Sequence, residues 1–278
     1  MAVKVVNNQI ILGVLFCFLL WIFYLFGIFF IEFTMINFLS MDIHYNQHLV
    51  YLYVRAFYRV AMSMLAIALL GVIAKNKHAW RIMKPTNYRK TLLVMLPFIF
   101  LFMLGVLHIW NIDFSEPFSR PNIHFIPAFI LFELGTGIFE EVVFRGILLG
   151  TLLYQWGYST KGRVCAVLIS SILFGAVHFP DGADYIANAF VYGIVFAAMY
   201  MITKNIFTCV ICHALLNLVN RLVFQFISGY AHWEMLNNVI FHARIILEVG
   251  MMFFAIIFIF KSKPPFFLGF NRQLSDEA

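Results

Sequence analysis

The sequence predicts an all-α, polytopic transmembrane helical bundle of about eight spans with both termini cytoplasmic. Three observations carry that prediction. First, 63% of the 278 residues are apolar and 12% are charged, against about 45–50% and about 25% in soluble domains. Mean hydropathy is +0.90, so a soluble enzyme is excluded. Disorder is excluded as well, because 34 Phe and 12 Tyr can bury ample apolar area. Second, several uncharged stretches are long enough to cross a hydrocarbon core of about 30 Å at about 1.5 Å per residue. Third, Lys and Arg concentrate in alternate connections between those stretches, as the positive-inside bias requires.

Ile10 to Ile31 is 22 residues without a charge. Lys4 precedes it, but the run is too long for the h-region of a signal peptide, about 7–15 residues, and no small-x-small cleavage site follows. It is expected to remain as the first span. The next are expected at about 56–74, 91–112, 126–153, 164–179, 186–203, 206–226 and 245–260. The second and the eighth are the weakest of these, because Arg59 enters one and Glu248 the other. Connections are short and no internal repeat is visible, so the chain reads as a single integral membrane domain, 1–278.

Net charge is +6, and six of the basic residues (Lys75, Lys77, Arg81, Lys84, Arg89, Lys90) share one connection. A nucleic-acid surface needs that cluster on a soluble domain with its own core, and none is available; a cytoplasmic loop beside the bilayer is expected instead. With an internal N-terminus, 13 Lys and Arg fall in the inner segments and 5 in the outer ones, with Arg145 inside a span. Cys17, Cys165, Cys209 and Cys212 all sit in apolar stretches, where they act as small hydrophobes. Cys209-Val-Ile-Cys212-His213 spells the C-x-x-C-H of haem attachment, but that chemistry needs an exposed loop rather than an apolar helix.

Ionisable groups in a span are costly and mark function by default. The fourth span carries Glu133, Glu140, Glu141 and Arg145. Glu141 and Arg145 are spaced i, i+4 with the acid first, the better order for a helix ion pair. Glu140 points about 100° away from Glu141, so the same arginine does not easily serve both. The fifth span supplies Phe174-Gly-Ala-Val-His178 and the seventh His213-Ala-Leu-Leu-Asn217. Each pair shares one helix face. Such a cluster can activate a water with a carboxylate or imidazole base and stabilise an oxyanion; two His and one Glu can also bind a divalent metal such as zinc. Glu133 shares the face of Glu140 and is a candidate for the cavity wall, with interhelical hydrogen bonding the stronger expectation for it. Asn188 and Tyr192 share a face of the sixth span, and for these, as for Asn220, interhelical hydrogen bonding is expected. Glu140 lies near mid-span, His178 near the outer end of its span and His213 nearer the inner end of its own. Irregularity at Gly146, Gly175 and Pro180 would be needed to bring them together.

Glu140-Glu141-Val-Val-Phe-Arg145, then Phe174-x-x-x-His178, then His213-x-x-x-Asn217 resemble the three motifs of the CPBP family of intramembrane proteases. That family includes the CAAX-processing type II endopeptidases and the bacteriocin-processing or immunity proteins called Abi. The resemblance spans about 126–220, a CPBP-like catalytic core, and no motif in it departs from the pattern. It implies that Glu140 and His178 activate the attacking water, that His213 and Asn217 hold the oxyanion, and that Glu141 and Arg145 orient the site. It leaves a metal-bound mechanism, with Glu140, His178 and His213 as ligands, open beside a glutamate-activated water. The implied function is an intramembrane endopeptidase that cleaves a peptide or membrane-anchored protein near the cytoplasmic leaflet. The alternative is a non-catalytic binding or bacteriocin-immunity protein that keeps the protease fold. Short loops and compact size fit a multi-pass protein of a bacterial plasma membrane, for which the lipid bilayer and a peptide or membrane-protein substrate are the expected partners, and no nucleic acid is. Bacteriocin, pheromone or regulatory membrane proteins would be its substrates there, rather than prenylated CAAX proteins. A transporter or proton relay would be expected to show paired or inverted repeats, and none is found.

Overall fold

The computed structural model describes residues 2–39, 49–73, 88–110, 125–156, 159–221 and 234–261. Those residues form α1 (Ala2–Leu39), α2 (Leu49–Ile73), α3 (Tyr88–Trp110) and α4 (Phe125–Glu141). A π-helix (Val142–Leu149) joins α4 to α5 (Gly150–Trp156), and α6 (Thr160–Ala176), a 3₁₀ turn (Phe179–Asp181), α7 (Ala183–Thr203), α8 (Ile206–Arg221) and α9 (Glu234–Lys261) follow. No strand occurs among the described residues, so the helical membrane bundle is the observed fold. Every expected span falls on a helix, with the fourth divided among α4, the π-helix and α5. The weak second and eighth spans are full-length helices, because α2 starts at Leu49 and α9 at Glu234, well before the expected 56 and 245.

Among the described residues, five helices are long and apolar enough to cross a membrane: α1, α2, α3, α7 and α9. The three that carry the acidic, His and His–Asn motifs are the short or broken ones. Regular α-helix in the fourth stops at Glu141, α6 has 17 residues and α8 has 16. Irregular backbone at membrane depth is tolerated where protein or a cavity, rather than lipid, surrounds it. The burial pattern agrees. All eight residues of the π-helix are buried, and 61% of the α7 span is buried against 17% for α3 and α9. Phe18, Phe26, Phe29 and Phe30 of α1, Phe100 of α3 and Phe253 of α9 face outward, as a lipid-exposed surface requires. The interior is therefore α4, the π-helix, α7 and α8, with longer helices around it.

Arg59 does not disqualify α2. Its guanidinium donates to Thr136 of α4 and lies 3.7 Å from the centre of the Phe132 ring. Arg55 donates to the Tyr51 hydroxyl at 3.1 Å, and that hydroxyl donates to Glu32 of α1 at 2.8 Å. Charges inside the bundle are thus paired across three helices, as a low-dielectric interior demands.

Helix association in lipid rests on close packing, since lipid tails are as apolar as leucine. Small residues set the approach. A Cβ at Gly135 would lie 3.0 Å from the Arg59 Cβ and 3.2 Å from the Val60 nitrogen on α2; one at Gly137 would lie 3.1 Å from the Val210 carbonyl on α8. α4 is therefore pressed between α2 and α8 one turn before its two glutamates. Gly137→Val is expected to destabilise the protein by about 1–3 kcal/mol through overpacking. Gly71→Val, where nothing lies within 4 Å of an added Cβ, is the control. Thermal unfolding in detergent checks this, and equal melting of the two variants would contradict the packing.

Candidate active site

α4 ends on Glu140 and Glu141, and the chain continues as π-helix through Arg145. A π-helix uses an extra residue per turn and is found mostly at functional sites. Gly146 sits within it, where a Cβ would meet Ile206 Cδ1 of α8 at 2.9 Å and Leu70 of α2 at 3.1 Å. The irregularity expected near Gly146 and Pro180 is present: the π-helix holds the first, and the 3₁₀ turn holds the second just after α6 ends.

Glu141 is completely buried and has a partner on each oxygen. His213 Nδ1 donates to Oε1 at 2.8 Å, and Arg145 Nε lies 3.1 Å from Oε2. The i, i+4 ion pair read from the sequence is therefore formed, and it extends to a histidine on another helix. Glu140 turns the other way, and its Oε2 lies 3.6 Å from His213 Nε2. The imidazole of His213 thus stands between the two carboxylates, with one ring nitrogen committed to Glu141 and the other facing Glu140. Its plane is fixed as well: the Phe196 ring of α7 stacks on it at 5.1 Å and 14°. The Arg145 guanidinium lies 4.2 Å from the Phe174 ring centre and 5.4 Å from that of Phe196. Two aromatic faces thereby stabilise a cation removed from water.

His178 follows α6 in the turn. Its Nδ1 donates to the Phe174 carbonyl at 2.8 Å, which leaves Nε2 as the basic nitrogen of a neutral ring. His178, His213 and Asn217 line one cavity of about 650 Å³, a size typical of small-ligand sites. The structure therefore joins Glu141, Arg145 and His213, sets Glu140 3.6 Å from the His213 ring, and places His178, His213 and Asn217 on one cavity whose lining does not include Glu140. Among the described residues, no group of three His, Cys, Asp or Glu side chains converges in a way that could hold a metal ion. Glu133 is buried and is not among the residues that line this cavity. Cys209 and Cys212 are buried within α8, away from any exposed loop.

Sequence reasoning missed two features. Phe196 was indistinguishable from the other phenylalanines, since nothing local marks the one that stacks on an imidazole. The second is a polar wall: Tyr192 of α7 donates to Glu248 Oε1 at 2.8 Å, and Arg244 Nε donates to the same oxygen at 2.9 Å. The interhelical bonding expected of Tyr192 is thus found. The signal for its partner was Glu248 itself, a carboxylate in an otherwise apolar span.

Short and broken helices thus set a glutamate pair and an arginine beside a cavity lined by two histidines and an asparagine. Residues 122–219 match the family model of the Rce1-like type II CAAX prenyl endopeptidases. The matched segment contains all three motifs and is similar to that family over about a third of the chain. No curated protein and no solved structure matches the chain.

Proposed function

We propose that the protein is an intramembrane endopeptidase that hydrolyses a peptide or a membrane-anchored protein with a water activated by Glu140. The observation that carries this reading is the placement of His213, bonded to Glu141 at 2.8 Å and facing Glu140 at 3.6 Å, on the wall of a cavity shared with His178 and Asn217. Atoms 3.6 Å apart are too distant for a direct hydrogen bond, yet one water lying beside them can touch both. In this reading the water loses a proton to Glu140 as its oxygen bonds to the scissile carbonyl carbon. His178, with Nε2 as an acceptor, orients the same water. The carbonyl oxygen becomes an oxyanion, and His213 and Asn217 donate to it. The proton held by Glu140 then passes to the leaving nitrogen as the C–N bond breaks.

Glu141 makes this possible without touching substrate. It holds Nδ1 of His213 as a donor and so fixes the ring, while Arg145 holds the carboxylate in place from its other oxygen. No step of this reading needs a metal ion. Activity is accordingly expected to survive treatment with a chelator. Loss on chelation with recovery on adding zinc would overturn that expectation and leave the site residues unchanged.

The prenyl CAAX substrates named for the matched family are not carried over; the reading here is restricted to peptide bonds that reach this cavity. Its test is a comparison of membrane-derived peptides from cells that carry the wild-type protein or Glu140→Gln. Peptides that disappear in the variant support hydrolysis. An unchanged peptide set, with the cellular phenotype fully retained, assigns the fold to binding or immunity instead.

A further inference from the structure

Arg244 and Glu248 are charged side chains of α9 that the proposed reaction does not use. Charge inside a membrane span is costly and marks function by default. Both side chains are partly exposed and lie on the cavity wall. Glu248 Oε1 accepts from the Tyr192 hydroxyl of α7 at 2.8 Å and from Arg244 Nε at 2.9 Å. The base precedes the acid, the poorer order for stabilising a helix, so helix stability alone does not account for the pair. Its evident effect is on Tyr192, whose hydroxyl is tied across to α9 by a carboxylate that the guanidinium holds in turn.

Tyr192 begins a run of stacked rings that ends on the candidate site. Its ring lies 6.0 Å from that of Phe196 at 28°, one turn further along α7, and Phe196 lies 5.1 Å from the His213 imidazole at 14°. Phe98 of α3 stacks on Phe196 as well, at 5.5 Å and 21°. Near-parallel, offset rings at these separations are a preferred aromatic arrangement. The bond to Glu141 fixes where His213 Nδ1 points. The tilt of the ring, and with it the direction of Nε2 toward Glu140, is set by what packs on its face. Phe196 is that face, and the Phe174 edge meets the ring at 6.0 Å and 89°. Phe196 is fully buried, whereas Tyr192 beside it is half-buried and lines the cavity. A ring with open space on one side can change rotamer into that space unless its polar end is held. Glu248 holds it.

We propose that Glu248, steadied by Arg244, is a positioning residue for His213: it pins Tyr192, Tyr192 backs Phe196, and Phe196 sets the plane of the imidazole. The contacts cross from α9 through α7 to α8, and Glu248 lies outside the matched segment 122–219. That the ring so placed acts on a peptide carbonyl rests on the peptidase reading above; the positioning itself does not.

Magnetic resonance of His213 tests it. The full chain is prepared in detergent with isotope-labelled histidine rings, and the His213 signals are assigned by their loss in His213→Gln. The Phe196 face shields the imidazole protons by its ring current, so Phe196→Leu should shift them downfield and serves as the reference for a lost stack. Tyr192→Phe keeps the ring and loses the hydroxyl; Glu248→Ala loses the acceptor. Both should shift the signals downfield by part of the reference amount. Glu248→Gln, whose amide oxygen still accepts from Tyr192, should stay near the wild-type position. Unmoved His213 signals in either Tyr192→Phe or Glu248→Ala overturn the proposal, even where the variant melts at a lower temperature, since a purely structural tie predicts that result. Kinetics supply the second arm, on a peptide whose cleavage depends on Glu140. Tyr192→Phe and Glu248→Ala should each lower kcat about 10-fold with KM changed less than about 2-fold, because a small misplacement of a catalytic group can cost up to about 10²-fold. Glu248→Gln should recover most of that loss. A raised KM at unchanged kcat would make these side chains substrate contacts and overturn the positioning role. Full activity in Glu140→Gln would end the peptidase reading, while the resonance result stands by itself.

Discussion

Glu140→Gln is expected to lower turnover by about 10²-fold or more while leaving the folded structure intact. The amide keeps the shape of the carboxylate and removes its basicity, and positioned general bases contribute about 10²–10⁴-fold. Folding should change little, because Glu140 has no partner among the described residues as close as those of Glu141, its nearest being His213 Nε2 at 3.6 Å. His213→Ala should be comparably inactive for a different reason: it removes the ring that Glu141 holds at 2.8 Å and that Phe196 stacks upon. Asn217→Ala should keep more activity than either, since one oxyanion donor is worth about 10²–10³-fold and a second remains. If the groups act as a unit, losses are strongly non-additive, and the Glu140→Gln plus His213→Ala protein should be no worse than the poorer single variant. Steady-state rates of the purified proteins on a common peptide pool decide this. Additive losses would mean that Glu140 and His213 act in separate steps.

The parts of this site that could be read from the sequence were those announced by cost. A glutamate pair, an arginine and two histidines in apolar helices must have partners, and the i, i+4 spacings named several of them. The helices were legible for the same reason, since an uncharged run of 22 residues such as Ile10–Ile31 has few places to go. The register between motifs was not legible. A straight-helix count puts His178 and His213 at different depths, yet they line one cavity, with α6 stopping at Ala176 and His178 in the turn that follows. The π-helix was equally hidden: Val142–Leu149 reads locally as any apolar helix. Arg59 and Glu248 weakened two spans in the sequence because their neutralising partners, Thr136 with the Phe132 ring and Arg244 with Tyr192, are set by tertiary packing or were read singly. Charge in an apolar segment argues against a span only until its partner is found.

The largest stability effect is expected at Arg145. Its side chain is 1% exposed and that of Glu141 is 0% exposed, with Nε and Oε2 3.1 Å apart. Removing one partner of a buried pair typically costs about 3–5 kcal/mol, because the other charge stays uncompensated. Arg145→Met is the suitable change: methionine is flexible enough to fill the space between the Phe174 and Phe196 rings, which the guanidinium now occupies at 4.2 and 5.4 Å from their centres. The loss measured is then that of charge, with little contribution from a void. Glu141→Leu alone should also destabilise, since it strands both Arg145 and His213 Nδ1. The double change removes both charges, and replacing a buried pair by apolar side chains is often nearly neutral. Its stability should therefore lie well above the sum of the two losses. Recovery should be incomplete, because His213 still lacks the acceptor that Glu141 provided, and a third change, His213→Phe, should restore more. A double-mutant cycle on unfolding in detergent gives the coupling directly. If the losses of the two single variants simply add, the guanidinium and the carboxylate are not energetic partners, and Arg145 is held by the two aromatic rings alone.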